Sequence, residues 1–242
     1  MLTPLILPLI LKILHGMLKQ ITKLGLILMM GVSMSACSST ASWKEDVLLH
    51  DGRKIVISVL NNLGGYPAIE SRERSTIDET VTFTLPDVNR EIVWKMGFRD
   101  DVPELNSLNL IRLDVVKGVP YVATYPAGCI AYNKWGRPNP PQVLFKYEGE
   151  QWKRITLAEF PAELINAHAN VIVGRPKASL LKSFYTVEGV DAENHDISTP
   201  EYKTILREAV KNGDAITSCP DFNSQQYRSF NPPLPMKPLP EK

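Results

Sequence analysis

Three of the four histidines, one tryptophan–arginine pair and a run of prolines are the residues of this 242-residue chain whose chemistry has to be weighed first. His50, His168 and His195 stand far apart, with no His-x3-His or Cys-x2-Cys pair to give metal-ligand spacing, so no metal and no cofactor is expected. No serine sits in a Gly-x-Ser-x-Gly elbow, and no glycine-rich loop opens a helix to receive phosphate. Asp100-Asp101, the most obvious acidic doublet, reads as a solvated turn before Pro103. No catalytic residue is therefore assigned. Two features suit binding instead. Trp135-Gly-Arg-Pro-Asn-Pro-Pro141 offers a flat aromatic beside Arg137 on a rigid frame; the plainer reading folds Trp135 back into the core. Pro232, Pro235 and Pro238 recur every three residues, a spacing that aromatic grooves read; the plainer reading lays the tail along its own domain or leaves it disordered.

Cys37 carries a different chemistry. It closes Val32-Ser-Met-Ser-Ala-Cys37, behind Lys19, Lys23 and the apolar run Leu24 to Met30. A positive start, a short apolar segment and small residues before the cut make a secretory signal. Ending on cysteine, the segment resembles a bacterial lipoprotein signal, with Met34 where leucine is usual. The resemblance implies that residues 1–36 are removed and that Cys37 becomes an acylated N-terminus; an ordinary secretory signal or an uncleaved anchor is the alternative, and the separate apolar run Leu2 to Ile13, with Pro4 and Pro8, points to Met17 as the true start. Each buried CH2 contributes about 0.8 kcal/mol, so several chains would hold the protein on its membrane. It would face the periplasm, and Ser38 in place of an aspartate leans toward the outer membrane.

Removing residues 1–36, with three lysines and no acid, takes the formal charge from +1 to −2. A near-neutral mixture of charges leaves no footprint for nucleic acid. Cys129 and Cys219 then remain, and in an oxidising compartment an even pair reads as a disulfide. Two buried thiols too far apart to bond, or a nucleophilic Cys129, are the alternatives.

The elements that must position these residues are mostly strands. Val81, Phe83 and Leu85 alternate with threonines; Ile111, Leu113 and Val115 with Arg112 and Asp114; Val143, Phe145 and Tyr147 with Leu144 and Lys146. Glycine turns predict three hairpins, at Asp51-Gly52, Lys117-Gly118 and Glu148-Gly149. Thr199, Pro200 and the stripe Tyr202, Ile205, Leu206 and Ala209 predict a helix running through Lys211 to Gly213. A second short helix is placed within Leu157 to Ala167, and a polar loop over Asn61 to Glu79. The fold class is mainly β: an antiparallel meander or sandwich-like domain over 37–230 with one or two helices, a partial propeller being the alternative. Residues 231–242 form a proline-rich tail, expected as polyproline II.

The segments Trp43 to Arg53, Thr82 to Pro86 and Tyr132 to Pro141 resemble uncharacterised envelope proteins of proteobacteria, a group that brings no activity with it. The expectation is a lipid-anchored envelope protein that binds another protein or a cell-wall component, or serves as a structural accessory of secretion or assembly. An envelope hydrolase or sugar-binding enzyme with dispersed catalytic residues is the alternative.

Overall fold

A computed structural model describes residues 39–64, 73–85, 87–98, 107–164, 167–211, 216–222 and 224. The chain divides into two units, 1–39 and 40–242. The signal segment with Cys37, the doublet Asp100-Asp101, and Pro232, Pro235 and Pro238 lie outside the described residues.

Two sheets dominate the second unit. β1 (Ser39–Leu48), β2 (Lys54–Gly64), β3 (Ser75–Leu85), β4 (Arg90–Gly97) and the two-residue β9 (Phe184–Tyr185) form one, in the order β4-β3-β2-β1-β9. β5 (Leu108–Val116), β6 (Val119–Pro126), β7 (Val143–Glu148) and β8 (Gln151–Ile155) form the other, in that order. The fold is mainly β and sandwich-like, and among the described residues neither sheet closes on itself and no propeller forms. The first sheet is mixed: β9 pairs with β1 in parallel, Lys44 opposite Phe184, where an all-antiparallel meander was expected. Two residues carry too little periodicity to announce a strand.

Alternation explains the core. Trp43 and Val47 on β1, Ile57 and Val59 on β2, and Val81 and Phe83 on β3 are buried, while their neighbours are more exposed. They meet Leu113, Val115, Val122, Val143 and Phe145 of the second sheet. The expected glycine turns lie between β1 and β2, β5 and β6, and β7 and β8; Gly52, Gly118 and Gly149 all have positive φ.

The β5 strand departs from simple alternation. Its register against β6 shifts between Leu110 and Arg112, which makes Ile111 an extra residue. Leu113 and Val115 stay in the inter-sheet core, whereas Ile111 and Val116 join a second cluster with Tyr125, Phe160, Leu164 and Ile205. Arg112 and Asp114 therefore sit under protein, 7% and 0% exposed, and not in solvent as the polar half of an alternating strand would.

The helices differ from expectation. α1 (Cys129–Lys134) and α2 (Val187–Glu193) had not been anticipated, though Thr186 caps α2 by accepting from the Gly189 N–H. The predicted helix over 200–211 is a single turn, α3 (Pro200–Lys203). Thr199 stands at its N-cap without a side-chain cap bond. Beyond it Thr204 is extended and bridges His168, Ile205 N–H donates to Ala167 O, Leu206 N–H to Gln142 Oε1, and Val210 N–H to Asn139 Oδ1. Tertiary acceptors replace the helical ones, so the apolar stripe never winds. Gly213 lies outside the described residues. Among the described residues of 157–167 the expected helix is a 3-10 turn at Ala162–Leu164. Both ends of the stretch Asn61 to Glu79, expected as a loop, are strand, because β2 runs to Gly64 and β3 starts at Ser75; residues 65–72 lie outside the described residues.

Candidate functional site

At one side of the sandwich the edge strands β4 and β8 come together, and aromatic residues collect between them. Trp94 meets Phe145 at 4.9 Å and Trp152 at 5.1 Å between ring centroids, both edge-on. Trp135, one residue past α1, meets Phe145 at 5.7 Å, and Tyr147 meets Trp152 at 5.1 Å. These separations are those of quadrupole-matched aromatic pairs. The Trp152 Nε1 donates to Val93 O at 2.9 Å, which fixes that indole against β4.

Trp94, Trp135, Phe145, Trp152, Lys95 and Arg154 line a groove of 630 Å³ here. Trp94 and Phe145 form its buried floor, while Trp135 and Trp152 remain half-exposed. Among the described residues the Trp94 Nε1 finds no hydrogen-bond partner. Arg154 lies 5.3 Å over the Trp135 ring and donates to Trp135 O, so a guanidinium stands beside the aromatic walls. The same Arg154 lines an adjoining 410 Å³ hollow with Pro138, Pro140, Leu144 and Leu157. The rigid loop is thus part of one wall, and Trp135 both packs on the core and faces the groove.

Arg137 has a different position. It stacks on Tyr132 at 4.9 Å and donates to Cys219 O at 2.8 Å and Pro220 O at 3.0 Å. Asn133 donates to Pro220 O and accepts from Phe222 N–H. Cys129 and Cys219 are bonded, with Cα atoms 5.4 Å apart. Disulfide, Asn133 and Arg137 together clasp the segment 219–222 to α1.

The histidines were the other open question. His50 Nδ1 lies 2.7 Å from Asp114 Oδ1, and the carboxylate also accepts from the backbone N–H groups of His50 and Val115 and from Arg112. Arg112 in turn donates to His168 O. Among the described residues no hydrogen bond joins His50 to a hydroxyl or thiol. The cluster ties the β1–β2 turn to β5, which is the work of a clamp. Asp114→Asn is expected to cost about 1.5–3 kcal/mol, the range for charge-assisted bonds, read as a lower urea midpoint at pH 7. An unchanged midpoint would show that the clamp holds nothing.

Inside the first sheet three polar residues share the apolar face. Glu45 accepts from Trp43 Nε1 at 2.6 Å and from Ile172 N–H at 3.0 Å. Glu79 lies opposite Asn61 in the β2–β3 register. Burial pushes Glu45 up to about 7, against the pull of those two donors. Burial pushes Glu79 up to about 8, with the facing Asn61 amide working the other way and the Glu45 charge adding to the rise. Among the described residues no group of three or more His, Cys, Asp and Glu is placed to hold a metal ion.

No protein-family model matches the chain, nor does any curated protein or solved structure. Sequence reasoning named Trp135 but missed Trp94 and Trp152. Their signal was present: Trp94 falls in phase with Ile92 and Met96, and Trp152 follows the Gly149 turn opposite Tyr147.

Proposed function

We propose that this chain is a lipid-anchored binding protein of the bacterial envelope, acylated at Cys37 and facing the periplasm, whose aromatic groove takes a stretch of cell-wall glycan. The observation that carries the reading is the convergence of three of the four tryptophans on one groove. A pyranose ring presents a flat C–H face, and a half-exposed indole covers it with apolar area at little entropic cost. Arg154 and Lys95 give the groove a positive character suited to a glycan bearing carboxylates. The adjoining hollow beyond Arg154 suits a ligand longer than one ring. The signal-like segment ending at Cys37 supports the address, and the Cys129–Cys219 disulfide fits an oxidising compartment.

Co-sedimentation with purified peptidoglycan tests the binding. The wild-type chain should pellet with the insoluble glycan, and Trp135→Ala with Trp152→Ala should weaken this at least tenfold, taking as the analogue the stacking of a nucleobase on an aromatic side chain, about 1–3 kcal/mol per ring. Equal pelleting of both would remove the groove from the account. The runner-up is an envelope hydrolase, favoured by the His50–Asp114 contact alone. Turnover of the glycan that His50→Gln abolishes would move that reading ahead.

A further inference from the structure

We propose that the cavity between the end of β1, α2 and the segment 168–170 is a second binding site, which takes the α-ammonium and neighbouring carbonyl of a small aliphatic amino acid, free or at the start of a peptide. The cavity has a volume of 220 Å³ and shares no lining residue with the aromatic groove, so it stands or falls separately from the glycan reading.

Its walls follow from local periodicity. On β1, Asp46 and Leu48 share the outward face, out of phase with the buried Val47. On α2, Val187, Val190 and Asp191 stand at i, i+3 and i+4 and so share one face of the helix. Leu48 is 41% exposed although apolar, and with Val187 it gives the cavity an aliphatic side. Asp46 and Asp191 give it an acidic one. The floor is fixed before any ligand arrives. Asn170 donates to Leu48 O and Leu113 O and accepts from Leu113 N–H, and Arg112 donates to His168 O. Little order then has to be imposed on binding. A volume below the roughly 300–1,000 Å³ of drug-sized sites suits a ligand of about one residue.

Arg112 indicates what that ligand carries. Its side chain is 9% exposed and lines the cavity. Of a guanidinium's N–H groups, one goes here to His168 O and one to Asp114. The buried Nε finds no acceptor among the described residues. A buried donor without an acceptor is costly, and native structures complete it with a water, an ion or a ligand. Asp114 already neutralises Arg112, so the remaining donors suit a neutral carbonyl oxygen better than a second carboxylate. The surplus charge in the cavity is negative. Lys54 reaches Asp46 only at 3.9 Å, and Asp191 is exposed and makes no ion pair among the described residues. An ammonium meets that surplus. An α-amino acid holds ammonium, carbonyl and aliphatic side chain on one carbon, the three groups that the three sides of the cavity match.

The test titrates the isotope-labelled full chain with L-leucinamide, which carries all three groups, and with two probes that each lack one. Isoamylamine has no carbonyl, and isocaproamide has no ammonium. Leucinamide should shift the Arg112 Nε signal and bind about tenfold more tightly than either truncated probe. Asp191→Asn, at an exposed position where the urea midpoint should not change, should weaken leucinamide about tenfold and leave isocaproamide as it was. L-Leucine separates the sources: an affinity equal to that of leucinamide assigns the site to free amino acids, and one about tenfold lower assigns it to peptide ends. Isoamylamine binding as tightly as leucinamide, an Arg112 signal that stays still, or leucinamide affinity untouched by Asp191→Asn would each overturn the proposal and leave glycan binding intact.

Discussion

The folded protein should lose stability steadily as pH rises from about 5 to about 8, and Glu79→Gln should remove the larger part of that loss. Glu79 and Glu45 have folded-state values raised to about 8 and about 7, from 4.5. Below 4.5 both states hold these protons and the groups contribute no slope. Between 4.5 and 8 the unfolded chain ionises while the native state keeps its protons, so stability falls with pH. Above 8 both states are ionised and the penalty is constant. Each unit of difference corresponds to about 1.4 kcal/mol, so several kcal/mol are at stake. The two carboxyls interact, and their protons leave as a coupled pair. Glutamine keeps the shape of Glu79 without the charge, opposite Asn61 in the same register. Urea midpoints at pH 5, 7 and 9 check this: Glu79→Gln should nearly match wild type at pH 5 and exceed it by about 2–4 kcal/mol at pH 9. Parallel curves for the two proteins would contradict the assignment.

Loss of the Cys129–Cys219 bond is the second large effect. The cysteines are 90 residues apart, and the bond encloses β7, β8, β9, α2 and α3. In the chain-entropy model, closing such a loop restricts the unfolded chain by about 4–5 kcal/mol. Replacing both cysteines by serine should lower stability by that order, read from urea midpoints in oxidising buffer. Reduction of the wild type should bring it to the same point. The segment 219–222 would still be held by Asn133 and Arg137, so a folded but weakened protein is expected and not an unfolded one. Arg137→Ala in the serine background should then cost more than in the oxidised protein. Stability that ignores reductant would show that the bond closes a loop already fixed by its neighbours.

Strands with one buried face were legible in the sequence because alternation is a local property. Thr80 to Leu85 and Val143 to Tyr147 lie in the strands that their pattern predicts, and glycine turns join β1 to β2, β5 to β6 and β7 to β8 as expected. Glu45 and Glu79 were missed, Glu79 having been placed in a polar loop, although each keeps phase with apolar neighbours, Trp43 and Val47 in one strand and Val81 and Phe83 in the other. What could not be read was decided by distant partners. The helix at 200–211 stops after one turn because Ala167, Gln142 and Asn139 take the backbone groups of residues 205, 206 and 210. Arg112 and Asp114 are buried because a bulge at Ile111 turns β5 and a second layer covers it. The groove was half visible. Trp135 stood out by its proline frame, while Trp94 and Trp152 come from edge strands of different sheets, and no single-strand pattern shows that such edges meet.

The central claim is that the aromatic groove is where the ligand sits, and the four tryptophan side-chain N–H signals test it most directly. Trp43 is buried on the inner face and bonded to Glu45, away from the residues that line the groove, and serves as the internal reference. In a nitrogen–proton correlation spectrum titrated with a soluble cell-wall oligosaccharide, the Trp135 and Trp152 signals should shift progressively, with Trp94 following and Trp43 unmoved. A titration in which all four stay still, or in which Trp43 alone moves, would contradict the groove as the binding site.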